Sequence, residues 1–419
     1  MASSSFSAPV GTRDVMPPES AQWVELVARF AQHVANAGFG LVQSPMFEDL
    51  GVFLRVGEGT DIVTKEMYDF IDKGGRHLAL RPEGTASIVR AYLQHRPQRN
   101  PWKAWYVAPN FRYERPQAGR YRQHHQLGVE VLGSPDADLD VEVITLQADF
   151  YAQLGLRQLR LLLNSMGTPE DRSNYTTLLG TWLQDHSDQL HPQDLETART
   201  NPMRVLDSKR AETVAALSEA PSVLESLSEY ALEHFERVQQ GLRAAEVDFD
   251  VEPRLVRGLD YYTHSTFEFQ ALALEGAQNA IGGGGRYDGL ASALGGPETP
   301  GVGFGSGIER ILLALQAEEA LRPAEQVPLA FVVDTTGGTH ARDLVTQARR
   351  AGLFLDRAYD RRSMKSQMKA ADRSGAALAL IIGEEEAAAD NVTVRDLRGP
   401  ASQMSLERSD LIEYLRKQP

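Results

Sequence analysis

The sequence predicts an α+β domain with a mostly antiparallel sheet and a helical insertion, followed by a smaller α/β domain. Three observations carry that expectation. Strand-like segments come first, a block of helical periodicity runs from about Thr168 to Val247, and strands resume at "VDFDVEPRLVRGLDYYTHSTFEFQAL". The stretch "QAEEALRPAEQVP" (Gln316–Pro328) then reads as a linker, with proline at both ends of its second half. Beyond it, "LAFVVDTT", "LFLDRAYD" and "LALIIGEEE" alternate with the helical "HARDLVTQARRAG" and "SMKSQMKAADRSG", the pattern of a largely parallel sheet. The expected domains are therefore 1–325, with its insertion at about 168–247, and 326–419.

Taken in order, "SAQWVELVARFAQHVANAG" (Ser20–Gly38) spaces Trp23, Leu26, Val27, Phe30 and Val34 three and four apart and stops at glycine, as an amphipathic helix does. A strand-like "FGLVQSPMFED" follows. Next, "YDFIDKGGRHLALRPEGTASIVRAYLQH" reads as two short strands around a Gly-Gly turn, running into a second helix. In "FRYERPQAGRYRQHHQLGVE" (Phe111–Glu130) Pro116 and Gly119 supply turn chemistry for a hairpin. Alternation along it puts Arg112, Glu114, Arg120, Arg122, His124, Gln126, Gly128 and Glu130 on one face and a largely apolar set on the other. Such a sheet ordinarily has a solvated outer face. Three arginines on one strand face repel each other, however, unless a polyanion lies among them.

Composition bounds the setting. The 419 residues carry a formal charge of −14, and 42% of them are apolar. From residue 329 onward Lys and Arg number 14 against 13 Asp and Glu, leaving 29 against 44 before it. Any nucleic acid must therefore meet local basic patches set in a repelling background. The densest is "RAYDRRSMKSQMKAADR" (357–373), six basic residues against two acidic. With no cysteine there is neither a disulfide nor a thiolate metal site. No secretory signal or eighteen-residue apolar run is visible, so a cytoplasmic protein with no membrane partner is expected.

In "PGVGFGSGIERILLAL" glycines fall at 301, 303, 305 and 307, which leaves one strand face bare for a flat group to lie on. The spacing does not fit a dinucleotide fingerprint, and the phosphate loop G-x-x-x-x-G-K-[ST] is absent. "FRYE" and "GFGSGIER" resemble motifs 2 and 3 of the class II aminoacyl-tRNA synthetases, and "FGLVQSPMFED" with Pro45 resembles motif 1. "LVRGLDYYT" (Leu255–Thr263), "GGGGRYDGL" (Gly282–Leu290) and "LRPEGT" (Leu80–Thr85) are similar to signatures of the histidyl-tRNA synthetase family. The resemblance extends over essentially the whole chain.

That resemblance implies the class II synthetase fold with a C-terminal anticodon-binding domain, L-histidine and ATP as substrates, and histidine tRNA as acceptor. It implies that Arg112 and Arg257 are catalytic cations at the α-phosphate, with Arg310 near the γ-phosphate and Arg120 a second anchor for the outer phosphates. It implies that Glu83, Thr85 and Gln126 hold the α-ammonium, while Gly84 and Tyr261 shape the pocket. Arg112 and Arg257 border the amino acid too. Glu130 and Tyr262 would serve the two ring nitrogens of the substrate imidazole. His124 stands where the family commonly has a phenylalanine stacked on adenine, a departure that could make ATP affinity pH-dependent. Arg115 and Gln117 match positions that meet the acceptor end of the tRNA. No metal-ligand spacing such as H-E-x-x-H accompanies the histidines, so Mg2+ is expected to arrive with ATP, with Glu114 as a contact. Motif 1 implies a homodimer. Two other readings are a non-catalytic, synthetase-like regulatory subunit of histidine biosynthesis and a class II synthetase for another amino acid; "LVRGLDYYT" opposes the second.

Overall fold

The structure, a computed structural model, describes every residue except 1–5, 58–62, 64, 275, 277–278, 322–326, 361, 400–401 and 419. The chain divides into two compact units, Met1–Pro323 and Ala324–Pro419. Part of the expected linker lies outside the described residues; its first two residues complete the helix Ile308–Ala317.

The first unit is built on an eight-stranded sheet. Its strands are β1 (Gly40–Leu41), β5 (Trp102–Phe111), β6 (Gln123–Leu132), β7 (Leu159–Ser165), β8 (Asp250–Val251), β9 (Thr263–Ala271), β10 (Ala280–Arg286) and β11 (Gly301–Gly307). They lie in the order β1-β5-β6-β11-β10-β9-β7-β8, antiparallel except for the outermost pairs β1/β5 and β7/β8. A separate three-stranded sheet joins β2 (Phe47–Asp49), β4 (His77–Leu80) and β3 (Tyr68–Ile71).

The period-two pattern decides which face is core. Leu127, Val129 and Val131 of β6 are buried with Val302 and Phe304 of β11 against Phe30, Val34, Ile144, Phe150 and Ile311. Those partners come from the helices Glu19–Asn36, Ala137–Leu154 and Ile308–Ala317. On the other face, the helix Thr85–His95 brings Ile88 over Ala104, Tyr106 and Ala108 of β5. The polar face of the hairpin is consequently not a solvated surface: Glu130 is only 1% exposed.

Two local expectations change. The β5/β6 ladder ends at Phe111↔Gln123, so Arg112, Glu114, Arg120 and Arg122 stand in the connection between the strands rather than on a strand face. Pro116 cannot donate to a ladder and Gly119 takes φ +68°, so the chain turns there and its arginines reach polar partners instead. "LVRGLDYYT" is not a strand; all but its last residue, Thr263, which opens β9, lie in the irregular segment between β8 and β9. "GGGGRYDGL" contributes most of β10, an interior strand.

The helical block also divides in two. Tyr175, Leu179, Leu183, Met203, Val205 and Leu206 form a small core of their own. The helix Glu229–Ala244 instead buries Phe235, Val238 and Leu242 in the main core. Asp171 joins the two parts. It completes a capping box with Thr168 and also accepts from the backbone N–H (3.0 Å) and hydroxyl (2.8 Å) of Ser228, the cap of the later helix.

The second unit carries a five-stranded sheet ordered β13 (Leu355–Arg357), β12 (Ala330–Asp334), β14 (Leu378–Ile382), β15 (Asn391–Asp396) and β16 (Gln403–Glu407). The first three are parallel, as alternation with helices requires. The last two are an antiparallel extension that the alternation did not announce. In the basic stretch, the helix Met364–Arg373 buries Gln367 and Ala371 and leaves Lys365, Lys369 and Arg373 exposed.

One ion pair is wholly interior to the first unit. Arg286 and Asp140 are both 0% exposed and hydrogen-bonded to each other. Asp140→Ala would leave the buried guanidinium with only the Asp288 carboxylate at 3.3 Å, a loss of about 3 kcal/mol. Urea unfolding of the variant should show a lowered midpoint of that size.

Candidate active site

A cleft of about 870 Å3 opens over β6, β11 and β10, bordered by the 112–122 connection and the 252–262 segment. Arg112, Arg120, Arg257 and Arg310 all line it. The four belong to three sequence stretches that the fold brings together: the exit of β5 and its connection, the segment before β9, and the helix that follows β11.

Each cation has a resting partner. Arg120 donates to Glu114, and a second Glu114 oxygen lies 3.9 Å from Arg112. Arg112 also donates to the Pro82 carbonyl at 2.8 Å. Arg257 donates to Glu268. Burial works against the charge on Arg257, but Glu268, Tyr262 and Tyr261 together outweigh it and leave its pKa above the ordinary value. Arg310 donates to the carbonyls of Gly119 (3.0 Å) and Ala280 (2.7 Å), and burial followed by Arg120 lowers its pKa. A desolvated guanidinium beside a second cation is poised for an anion.

Behind the arginines lies a buried polar pocket. Glu83 accepts from the backbone N–H groups of Thr85 (2.6 Å) and Ala86 (2.8 Å) at the start of the helix Thr85–His95. Burial raises its pKa against those bonds and the nearby charge of Arg112. Glu130 accepts from the hydroxyls of Thr85 (2.7 Å), Tyr287 (2.5 Å) and Tyr106 (3.4 Å). Burial nevertheless pushes its pKa up to about 8, with the hydroxyls of Tyr287 and Thr85 opposing. Gln126 lines the cleft on the same strand face and is held by the Asn110 side-chain amide at 2.6 Å. The Tyr261 and Tyr262 rings lie 4.9 Å apart, and Tyr262 reaches the cleft wall.

The alternating glycines divide into two pairs. A Cβ at Gly301 would overlap the Tyr287 ring, and one at Gly303 would overlap the Glu130 carboxylate. These two are bare because the protein's own side chains lie on them. At Gly305 and Gly307 the nearest atoms would be the Gln126 amide at 3.3 Å and Arg310 at 3.8 Å, and both residues line the cleft. Only this second pair offers open backbone to a flat group. Gly84 and Gly128 follow the first pattern, for the Tyr106 ring lies against both.

The adjacent histidines separate by strand alternation. His124 lines the cleft, and its pKa falls well below the ordinary value through burial and the charges of Arg112 and Arg310. The ring is therefore neutral at physiological pH, so it supplies no titration there. His125 faces the other way: its ring meets Trp23 edge-on at 4.6 Å and lies 3.1 Å from Glu309.

The structure thus gathers Arg112, Glu114, Arg120, His124, Gln126, Arg257, Tyr262 and Arg310 around one cleft. Glu83, Gly84, Thr85, Glu130 and Tyr261 lie in or beside the pocket behind it. Arg115 and Gln117 do not line the cleft; both are exposed in the connection, where Gln117 and Arg120 exchange backbone hydrogen bonds of 3.1 and 2.9 Å. Sequence reasoning missed Glu268, Tyr106 and Tyr287. A carboxylate inside the apolar alternation "STFEFQ" was a visible signal for Glu268. The tyrosines gave none, because their role depends on strand register.

Comparison with known proteins shows the family. The histidyl-tRNA synthetase family model matches residues 11–311, and an anticodon-binding domain model matches 326–418. The chain belongs to the histidyl-tRNA synthetase family. It is 45% identical to a histidine–tRNA ligase of Pelotomaculum thermopropionicum over 98% of this chain and 97% of that one. It is 46% identical to the one from Nocardia farcinica over 99% of both. The crystal structure of apo S. aureus histidyl-tRNA synthetase superposes with a TM-score of 0.83 at 32% identity, covering 99% of this chain and 100% of that one. A Bacillus halodurans structure described as an ATP phosphoribosyltransferase regulatory subunit/histidyl-tRNA synthetase shares the fold at 22% identity, with a TM-score of 0.61 over 84% of this chain.

The glycine geometry of this synthetase is directly testable. Gly303→Ala must displace Glu130 or the strand backbone, at a cost of about 1–3 kcal/mol. Gly305→Ala meets only the end of a flexible side chain and should unfold within about 1 kcal/mol of the parent. Thermal unfolding of the two variants compares them.

Proposed function

We infer that the chain is a histidine–tRNA ligase, which activates L-histidine with ATP as histidyl-adenylate and transfers the histidyl group to the 3′ end of histidine tRNA, releasing AMP. The observation that carries this is the convergence of four guanidinium groups on one cleft beside a buried pocket of carboxylates and hydroxyls. Relatives about 45% identical along their whole length carry the same ligase name. The regulatory-subunit reading is the weaker one, since the anticodon-binding domain model extends over the second unit.

In the first step a histidine carboxylate oxygen bonds to the α-phosphorus of ATP, and the bond to the bridging oxygen breaks as pyrophosphate leaves. Such chemistry asks the protein for positioning and for cations where charge develops. Arg112 and Arg257 act at the α-phosphate; Arg120 and Arg310 take the outer phosphates. In the resting cleft, Glu114 and Glu268 occupy the guanidinium positions that phosphate oxygens would take. His124 lies against adenine as a neutral ring, with Gly305 and Gly307 as open floor. Mg2+ enters with ATP; Glu114 offers the oxygen ligands a hard cation prefers.

In the amino-acid pocket Glu83, Thr85 and Gln126 hold the ammonium, Gly84 and Tyr261 set the walls, and Glu130 with Tyr262 meets the imidazole. Arg115 and Gln117, exposed beside the cleft, meet the tRNA acceptor end, and the basic face of the helix Met364–Arg373 approaches the anticodon arm. A cytoplasmic location fits the cysteine-free sequence, and among the described residues no helix is long and apolar enough to cross a membrane. A homodimer fits the exposed side chains of Leu41, Met46, Phe47, Phe70 and Ile71 around motif 1.

Purified protein is expected to exchange pyrophosphate into ATP only when histidine is present; no exchange from folded protein would overturn the enzyme reading. Arg257→Ala should slow adenylate formation by roughly 10²–10³-fold while histidine binding survives in part. Equal loss of both would make Arg257 a structural residue. Sedimentation should give twice the chain mass at micromolar concentration, and a monomer would contradict the dimer.

A further inference from the structure

We propose that Tyr106 and Tyr287 are specificity-positioning residues: with Thr85 they occupy all but one acceptor position of Glu130 and leave that one for a single substrate N–H. The inference deepens the reading that Glu130 meets the substrate imidazole, and rests on it.

An ionised carboxylate has about four lone-pair sites. On Oε1 of Glu130 two are taken, by the Thr85 hydroxyl at 2.7 Å and the Tyr106 hydroxyl at 3.4 Å. On Oε2 the Tyr287 hydroxyl at 2.5 Å takes one. What remains is one acceptor position on Oε2, the oxygen that lies over the backbone of Gly303. A ligand that brings one N–H to that point fills the site. A side chain without a donor leaves a fully buried acceptor unpaired, and a second donor finds no lone pair.

The hydroxyls are fixed by packing as well as by hydrogen bonds. The Tyr106 ring is wedged where a Cβ at Gly84 would come within 2.5 Å of it, and a Cβ at Gly128 would overlap it outright. The Tyr287 ring occupies the space above Gly301. Both rings are buried, at 3% and 1% exposure, so neither hydroxyl can swing to water. Three of the sequence's glycines thus serve two phenol rings.

The hydroxyl donors also favour the ionised, accepting form of Glu130 against burial, so that form predominates only above a pH of about 8. Burial is the largest influence and raises its pKa to about 8; the hydroxyls of Tyr287, Thr85 and Tyr106 pull it down, while Glu83 pushes it up. Tyr261 and Tyr262 are the other titratable groups facing it, and the nearby cations Arg112 and Arg257 lie beside Glu83 and Tyr262 respectively. Removing a phenol hydroxyl therefore raises the Glu130 pKa further. The carboxylate that accepts the imidazole N–H then appears only at higher pH.

The test uses Tyr287→Phe and Tyr106→Phe, which keep the rings, with Tyr151→Phe as a control. Tyr151 is another fully buried sheet-packed phenol, but its hydroxyl bonds Gln147 and Ser306 and does not touch Glu130. Histidine-dependent pyrophosphate exchange is measured across pH. For Tyr287→Phe the KM for histidine should rise roughly tenfold or more, as for a lost hydrogen bond to a charged group, with kcat within about twofold. The rising limb of kcat/KM should move to higher pH, since that profile reports the free enzyme. Tyr106→Phe should move in the same direction by less, its contact being longer, and Tyr151→Phe should move neither quantity. Histidine's own titration is common to all variants and cancels in the comparison. If Glu130→Gln raises KM while both Phe variants keep the parental KM and pH limb, the proposal is wrong and the pocket reading stands. An unchanged KM in Glu130→Gln would sink both.

Discussion

A carboxylate placed in the middle of an eight-stranded sheet has to be held, and the geometry around Glu130 follows from how that is done. Water is excluded, so its lone pairs must be satisfied by protein groups or by a ligand. Three hydroxyls from three separate segments converge on it, and two of them sit on rings that need glycine beneath them. The glycine-rich strands β10 and β11 are thereby explained locally. Except at Gly305 and Gly307, side chains at these positions would collide with other residues of the sheet and its helices, Tyr287 and Glu130 among them, before they met any ligand. The pocket is a space defined by what the sheet's own residues leave unfilled.

The same economy of space governs the phosphate side. The chain is acidic as a whole, and the first unit more so, yet four guanidinium groups share one cleft. Unliganded, such a cluster would repel itself. Glu114 stands between Arg112 and Arg120, and Glu268 holds Arg257, so part of that repulsion is offset while the cleft keeps a positive surplus. The remaining donors of these planar cations stay available in fixed directions. On the proposed function, an incoming polyphosphate would exchange one set of oxygens for another without having to assemble the site, which keeps reorganisation small. The neutral His124 ring adds an aromatic surface there without adding charge.

Much of the scaffold was legible in the sequence. Helical spacing marked the helix Glu19–Asn36, the Gly-Gly turn marked β3 and β4, and the strand–helix alternation marked the second unit. The arginines, Glu83 and Glu130 were legible as candidates because motifs fix their neighbours, and the fold brings them to the cleft and the pocket behind it. The hairpin arginines were misread as one strand face because alternation assumes an unbroken ladder, and the ladder stops at Phe111. Tyr106 and Tyr287 were silent because nothing local distinguishes a tyrosine that packs from one that orients a carboxylate.

By itself, then, the sequence determined most of the secondary structure, the class of fold and the residue types at the candidate site, since those depend on periodicity, turn chemistry and short contiguous motifs. Only the tertiary structure decided which glycines are open floor and which are filled, which cation rests on which carboxylate, and how many lone pairs of Glu130 remain for a ligand. Those facts depend on the register of β6 against β5 and β11, where a shift of one residue would turn Glu130 from the pocket into the hydrophobic core.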